Sequence, residues 1–104
     1  MSVIRQVVES PLVQGVDENI IYSIRTTQWG SSPSNVDVKV YDITAGDYTD
    51  VTTTVVTGVA GVVGDVITLP KIGSLTAVRV YKVEVYFESG SQDFECYLII
   101  QAED

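Results

Sequence analysis

The chain has 104 residues, one cysteine and no histidine, and fourteen acidic against six basic side chains leave a net charge of −8. Without histidine the commonest general base and the commonest nitrogen ligand for transition metals are missing, and a lone cysteine cannot close an intrachain disulfide. A charge of this sign repels phosphate backbones and anionic lipid surfaces, so neither nucleic acid nor a membrane is expected as a partner.

At this length the chain is expected to form a single domain, residues 1–104. Its apolar content of 45%, rich in Val, Ile and Tyr, points to sheet rather than disorder. In chain order, Val3 to Val8 is expected as an edge strand, because its β-branched residues and the closing Ser10-Pro11 make a poor helix. Gly15 and Asp17-Glu18-Asn19 turn the chain into a second strand over Ile20 to Thr27, with Ile20, Tyr22 and Ile24 on one face. The Gly, Ser, Pro and Asn of residues 30–35 predict a loop, and Trp29 ahead of it is expected to plug one end of the fold. Val36, Val38 and Val40 alternate with Asp37, Lys39 and Tyr41, as in a strand with one face in the core and one in water.

Asp42 to Asp50 is turn-like and acidic. It is followed by an expected short Thr-rich strand, Val51 to Val56, and an exposed loop carrying Gly58, Gly61 and Gly64. Asp65 to Pro70 is a short strand stopped by the proline, and Lys71 to Ser74 makes a corner. Tyr81, Val83, Val85 and Phe87 then alternate with Lys82, Glu84 and Tyr86 in a long half-buried strand. A hairpin over Glu88 to Gln92 leads to a last strand from Asp93 to about Gln101, where Phe94, Cys96, Leu98 and Ile100 face one way. About seven short strands separated by turn signals, with no helix required, predict an all-β, immunoglobulin-like antiparallel β-sandwich.

Leu75 followed six residues later by Tyr81 at the head of the long strand resembles the tyrosine corner of immunoglobulin-like and fibronectin type III sandwiches. That resemblance implies a phenol hydroxyl bonded back to upstream backbone, and structural roles for Trp29, Leu75 and Tyr81. The lone Cys96 departs from the immunoglobulin disulfide pair, and Ala77-Val78 replace the proline or glycine usual between the leucine and the tyrosine. Trp29-Gly30-x-x-Pro33-Ser34, Val40-Tyr41-Asp42, Gly64-Asp65-x-Ile67-Thr68-Leu69-Pro70 and Tyr81-x-Val83-Glu84-Val85 look like small sandwich proteins encoded among phage and prophage structural genes. This second resemblance implies a virion component, such as a capsid decoration, neck or tail accessory protein, assembled in the cytoplasm.

No catalytic or cofactor-binding set emerges, and no metal set is assigned. The glycines of residues 58–64 lack the Lys-Ser/Thr and the following helix of a phosphate loop, and Cys96 in an apolar strand is expected to be a buried thiol. Asp42, Asp47 and Asp50, with Asp17 and Glu18, could offer oxygens to calcium, but a solvated acidic loop is the simpler reading. Tyr41 and Tyr86, on outward faces, are the candidate interface residues, and with Tyr48 and Trp29 they outline an aromatic platform. Val3 to Val8 and Val51 to Val56 carry few of the lysines and prolines that blunt sheet edges, so a homo-oligomer is expected. The expected function is that of a non-enzymatic structural protein of a phage or prophage particle, contacting itself and other virion proteins. The alternative is a secreted or cell-surface adhesion or carbohydrate-binding module, which would carry an export signal or sit inside a longer chain. The start Met-Ser-Val-Ile-Arg-Gln shows none.

Overall fold

The computed structural model describes residues 4–6 and 12–104. Among these are β1 (Ile4–Gln6), β2 (Leu12–Gly15), β3 (Ser23–Arg25), β4 (Ser34–Asp42), β5 (Thr49–Asp50), the one-turn helix α1 (Thr52–Val55), β6 (Val56–Thr57), β7 (Gly61–Val63), β8 (Val66–Thr68), β9 (Lys71–Ile72), β10 (Val80–Ser89) and β11 (Gln92–Glu103). The larger sheet runs β1-β11-β10-β4-β5, with β2 also on β11; a three-stranded sheet runs β3-β8-β7, and β6 pairs with β9. Of the expected edge strand, Val3, Val7 and Val8 lie outside the described residues.

The alternation read in the long strands is the alternation of the core. Val38 and Val40 of β4, Tyr81, Val83, Val85 and Phe87 of β10, and Phe94, Cys96, Leu98 and Ile100 of β11 are all buried. They form one cluster with Ile24, Val55, Ile67, Leu69 and Ile72 from the opposite side of the fold, which makes the molecule an all-β sandwich. Each fully buried aliphatic side chain contributes about 1.5–3 kcal/mol relative to exposure.

Four expectations need correction. The sandwich is not wholly antiparallel: β1 and β2 both run parallel to β11. Parallel pairing needs a long crossover, and the whole chain between first and last strands serves as one. The strands are also more numerous than about seven, several of them only two or three residues long. The second strand shrinks to Ser23–Arg25 plus an isolated bridge between Ile20 and Ile72.

The Thr-rich run is the third correction, because Thr52–Val55 is helical. Asp50 Oδ1 accepts from Thr52 N–H at 2.9 Å, and Thr52 Oγ1 accepts from Val40 N–H at 2.9 Å. These bonds hold the turn against β4 and drive Val55 to 3% exposure. Threonines whose side chains satisfy nearby backbone can leave the strand conformation their propensity favours. The fourth correction is the glycine loop, whose second half is β7 of a hairpin with β8. Gly64 has φ +58° in the first central position of its two-residue turn, the place where glycine is wanted.

Thr76 N–H donates to Tyr81 Oη at 2.9 Å, and Leu75 and Tyr81 are both buried. Tyr81→Phe leaves that donor unpaired beside a cavity of about 420 Å³ lined in part by Ser74, Thr76 and Tyr81. Water entering from the cavity limits the loss, so urea unfolding should report a destabilisation of about 1–2 kcal/mol. No change in midpoint would show the bond to be dispensable.

Candidate functional site

Strand register assembles the outward face of the larger sheet in rows. Lys82 lies between Tyr41 and Ile99, Glu84 between Lys39 and Tyr97, and Tyr86 between Asp37 and Glu95. These β10 side chains are half-buried, although they point away from the core. The chain after β4 brings in a further ring. A 3₁₀ turn at Thr44–Gly46 reverses it, and Tyr48 packs on Tyr41 with ring centroids 4.6 Å apart.

Glu84 is the hub of this face. Its carboxylate accepts from the hydroxyls of Tyr48 and Tyr86 in two short hydrogen bonds, and from Lys82 Nζ at 3.2 Å. Lys82 Nζ also donates to Tyr48 Oη at 2.9 Å, and sits 4.6 Å from the ring centre of Tyr97 and 5.4 Å from that of Tyr48. A desolvated ammonium over aromatic faces is attracted by their quadrupoles. The side chains of Lys82 and Glu84 are only 21% and 13% exposed, so the tyrosines roof over an ion pair.

Titration behaviour follows from that roof. Burial by itself would raise the Glu84 carboxyl, but the bonds from Tyr48, Tyr86 and Lys82 outweigh it and hold the group below its ordinary 4.5. Burial pushes the Tyr86 phenol far up, reinforced by its bond to Glu84 and by that charge. Tyr48 is raised by burial and by the same carboxylate. Burial would lower Lys82, yet its bonds to Tyr48 and Glu84 leave it raised. The four groups form one locked lattice, neutral as a pair at its centre.

Of the residues singled out from the sequence, Tyr41, Tyr48 and Tyr86 come together here. Trp29 does not. It is half-buried beside the core, its ring 6.4 Å from Phe87 and nearly parallel to it. The turn that aims it is built on Thr26, whose carbonyl accepts from the Trp29 and Gly30 N–H groups and whose Oγ1 donates to Gly30 O at 2.8 Å. Lys82, Glu84 and Tyr97 were not singled out. Their outward phase in the alternation was legible, but an outward Lys or Glu on a strand is ordinarily just solvated.

Two carboxylates of the acidic turn, Asp42 and Asp50, are committed within the fold. Asp42 Oδ1 accepts from Thr44 N–H and Oγ1, and Asp42 Oδ2 pairs with Arg79 Nε at 2.9 Å. Burial opposes ionisation of Asp42, but these partners still lower its pKa. Asp50 is bonded to Thr52.

A second surface lies on the smaller sheet. β7 is a terminal strand there, and Val59, Val62 and Val63 are 90%, 39% and 78% exposed. Beside it runs a groove of about 300 Å³ lined by apolar residues such as Val36, Val56, Val59 and Pro70 and by the polar Asp37, Thr52 and Thr53. Of the expected bare edge Val51 to Val56 only Val56 lies in a strand, the two-residue β6, and β7 is a further uncharged edge. Comparison with protein-family models, curated proteins and solved structures gives no match for this chain.

Proposed function

We propose that the chain is a non-enzymatic assembly protein that recognises other proteins through the tyrosine face of its larger sheet, as a structural component of a phage-type particle. One observation carries the reading: Tyr41, Tyr48 and Tyr86 are held in place before any partner arrives, two of them by Glu84. Rigid aromatics bury large area at small entropic cost, which is why tyrosine dominates interface hot spots. The immunoglobulin-like kinship is supported by the tyrosine-corner resemblance and by the bond from Thr76 to Tyr81, and the virion setting by the second sequence resemblance alone. A carbohydrate-binding module is the weaker alternative. Sugar recognition needs polar groups free to bond hydroxyls, and here Lys82, Glu84 and the phenols of Tyr48 and Tyr86 are spent on one another.

The test is co-purification with particles. Particles banded from cells carrying the gene should contain the chain in a fixed ratio to the major shell protein. Replacing Tyr41→Ser together with Tyr86→Ser should leave a folded protein by circular dichroism and cut its occupancy roughly tenfold or more. A chain found only in the unassembled fraction would overturn the proposal. So would full occupancy by the double variant.

A further inference from the structure

We infer that two copies of this chain pair antiparallel through β7, each adding a strand to the other's three-stranded sheet. The inference rests on the reading that the chain works by protein contacts, but uses a different surface. The run from Val51 to Gly64 carries no charged side chain, in a chain of net charge −8. Among the described residues most other edges carry a charge, and the uncharged β6 is only two residues long. β5 carries Asp50, β3 carries Arg25 and β9 carries Lys71, while the end of β2 is closed by Glu18 Oε1 accepting from Gly15 N–H at 2.7 Å. Charged side chains on an edge are how sheets avoid pairing with their own copies, and β7 has none.

The edge is also self-complementary. Antiparallel pairing about Val62 sets that residue opposite its own copy and sets Gly61 opposite Val63 of the second copy. A Cβ built on Gly61 meets nothing within 4 Å, so there is open space for that valine to cover. Val62 faces the same side as its cross-strand neighbour Ile67, which is fully buried, and its exposed flank is what the second Val62 would cover. A three-residue ladder alone is far below the ~1,600 Å² of a standard interface. Val59 and the adjoining groove supply further apolar area, and the pair is expected to be concentration-dependent. A second copy is favoured over a charged partner because the run that forms the edge itself, Val51 to Gly64, carries no charge, and the only acidic side chain beside it among the described groove residues is Asp37. The two acidic bodies instead repel at a distance, so salt should tighten the pairing.

The purified full-length chain, run by light scattering behind a sizing column over a concentration series, should climb from the 11.3 kDa of one chain toward twice that mass. The climb should be steeper at roughly 0.5 M than at 0.02 M salt. Val59→Glu with Val63→Glu, both on exposed positions, should stay at the mass of one chain with an unchanged circular dichroism spectrum. Tyr41→Ser with Tyr86→Ser should associate as the parent does. In a second measurement, Val62→Cys should form an intermolecular disulfide under mild oxidant, because directly opposed residues fall within disulfide reach, and Val13→Cys on β2 should not. A parent chain that stays single throughout, or glutamate variants that still associate, would overturn the inference and leave the tyrosine face standing. Loss of association in the tyrosine variant alone would assign pairing to that face instead.

Discussion

Gln14→Glu should destabilise the protein by about 3–5 kcal/mol at neutral pH and by much less in mild acid. Gln14 is fully buried, and its amide joins the two layers. Nε2 donates to Ile72 O at 2.8 Å and to Glu18 O at 2.9 Å, and Oε1 accepts from Tyr22 Oη at 2.6 Å. Ile72 O also accepts from Ile20 N–H, so this carbonyl is where β2 of the larger sheet meets β9. A carboxylate in that position would set a charge against two carbonyl oxygens without water. Burial raises such a carboxyl's folded pKa above its unfolded value near 4.3. The sign follows: the variant's deficit is smallest below the unfolded pKa and grows as pH rises toward the folded one. Part of the deficit persists in acid, because one protonated oxygen can serve only one of the two carbonyls. Urea unfolding of parent and variant at pH 4 and pH 7.5 measures this. Gln14→Met should lose stability equally at both, and an equally flat loss for the glutamate would mean that Gln14 is not sealed from water.

Glu84→Ala should cost about 2–3 kcal/mol, a large loss for a change on an outward face. One truncation removes the acceptor of three donors and leaves Lys82, 21% exposed, without its carboxylate. For a domain of this size each kcal/mol moves the melting temperature by roughly 4–8 °C. Because the folded pKa of Glu84 is lowered, its contribution is complete above the ordinary 4.5 and is lost as pH falls through the lowered value. The gap in melting temperature between parent and variant should therefore be widest near neutrality and close in strong acid. If the chain works as proposed, loosened Tyr48 and Tyr86 should also weaken particle incorporation. A variant as stable as the parent, with normal occupancy, would mean that the lattice neither braces the sheet nor prepares its face.

These two residues mark the limit of what could be read in advance. Gln14 stands between Val13 and Gly15 ahead of an acidic turn, a place where a polar side chain is ordinarily solvated. Its burial depends on Ile72, which comes 58 residues later. Glu84 and Lys82 were placed on the outward face by alternation alone. Their coupling needed Tyr48, delivered by a turn, and Tyr97, delivered by β11.

Side-chain direction in a strand alternates whatever strand lies alongside. For that reason the sequence by itself determined the sheet class, the buried faces of β4, β10 and β11, and the outward phase of Tyr41 and Tyr86. The absence of histidine, which rules out an imidazole base or ligand from this chain, is likewise a fact of the sequence alone. Only the tertiary structure decided that the first strands lie parallel on the last, that Thr52–Val55 winds into a turn of helix, and that β7 forms an uncharged edge. Local preference differs between conformations by at most about 1 kcal/mol per residue. A single buried side chain such as Val55, or a bond such as that from Val40 to Thr52, is worth as much or more, so contacts between distant segments settle those choices.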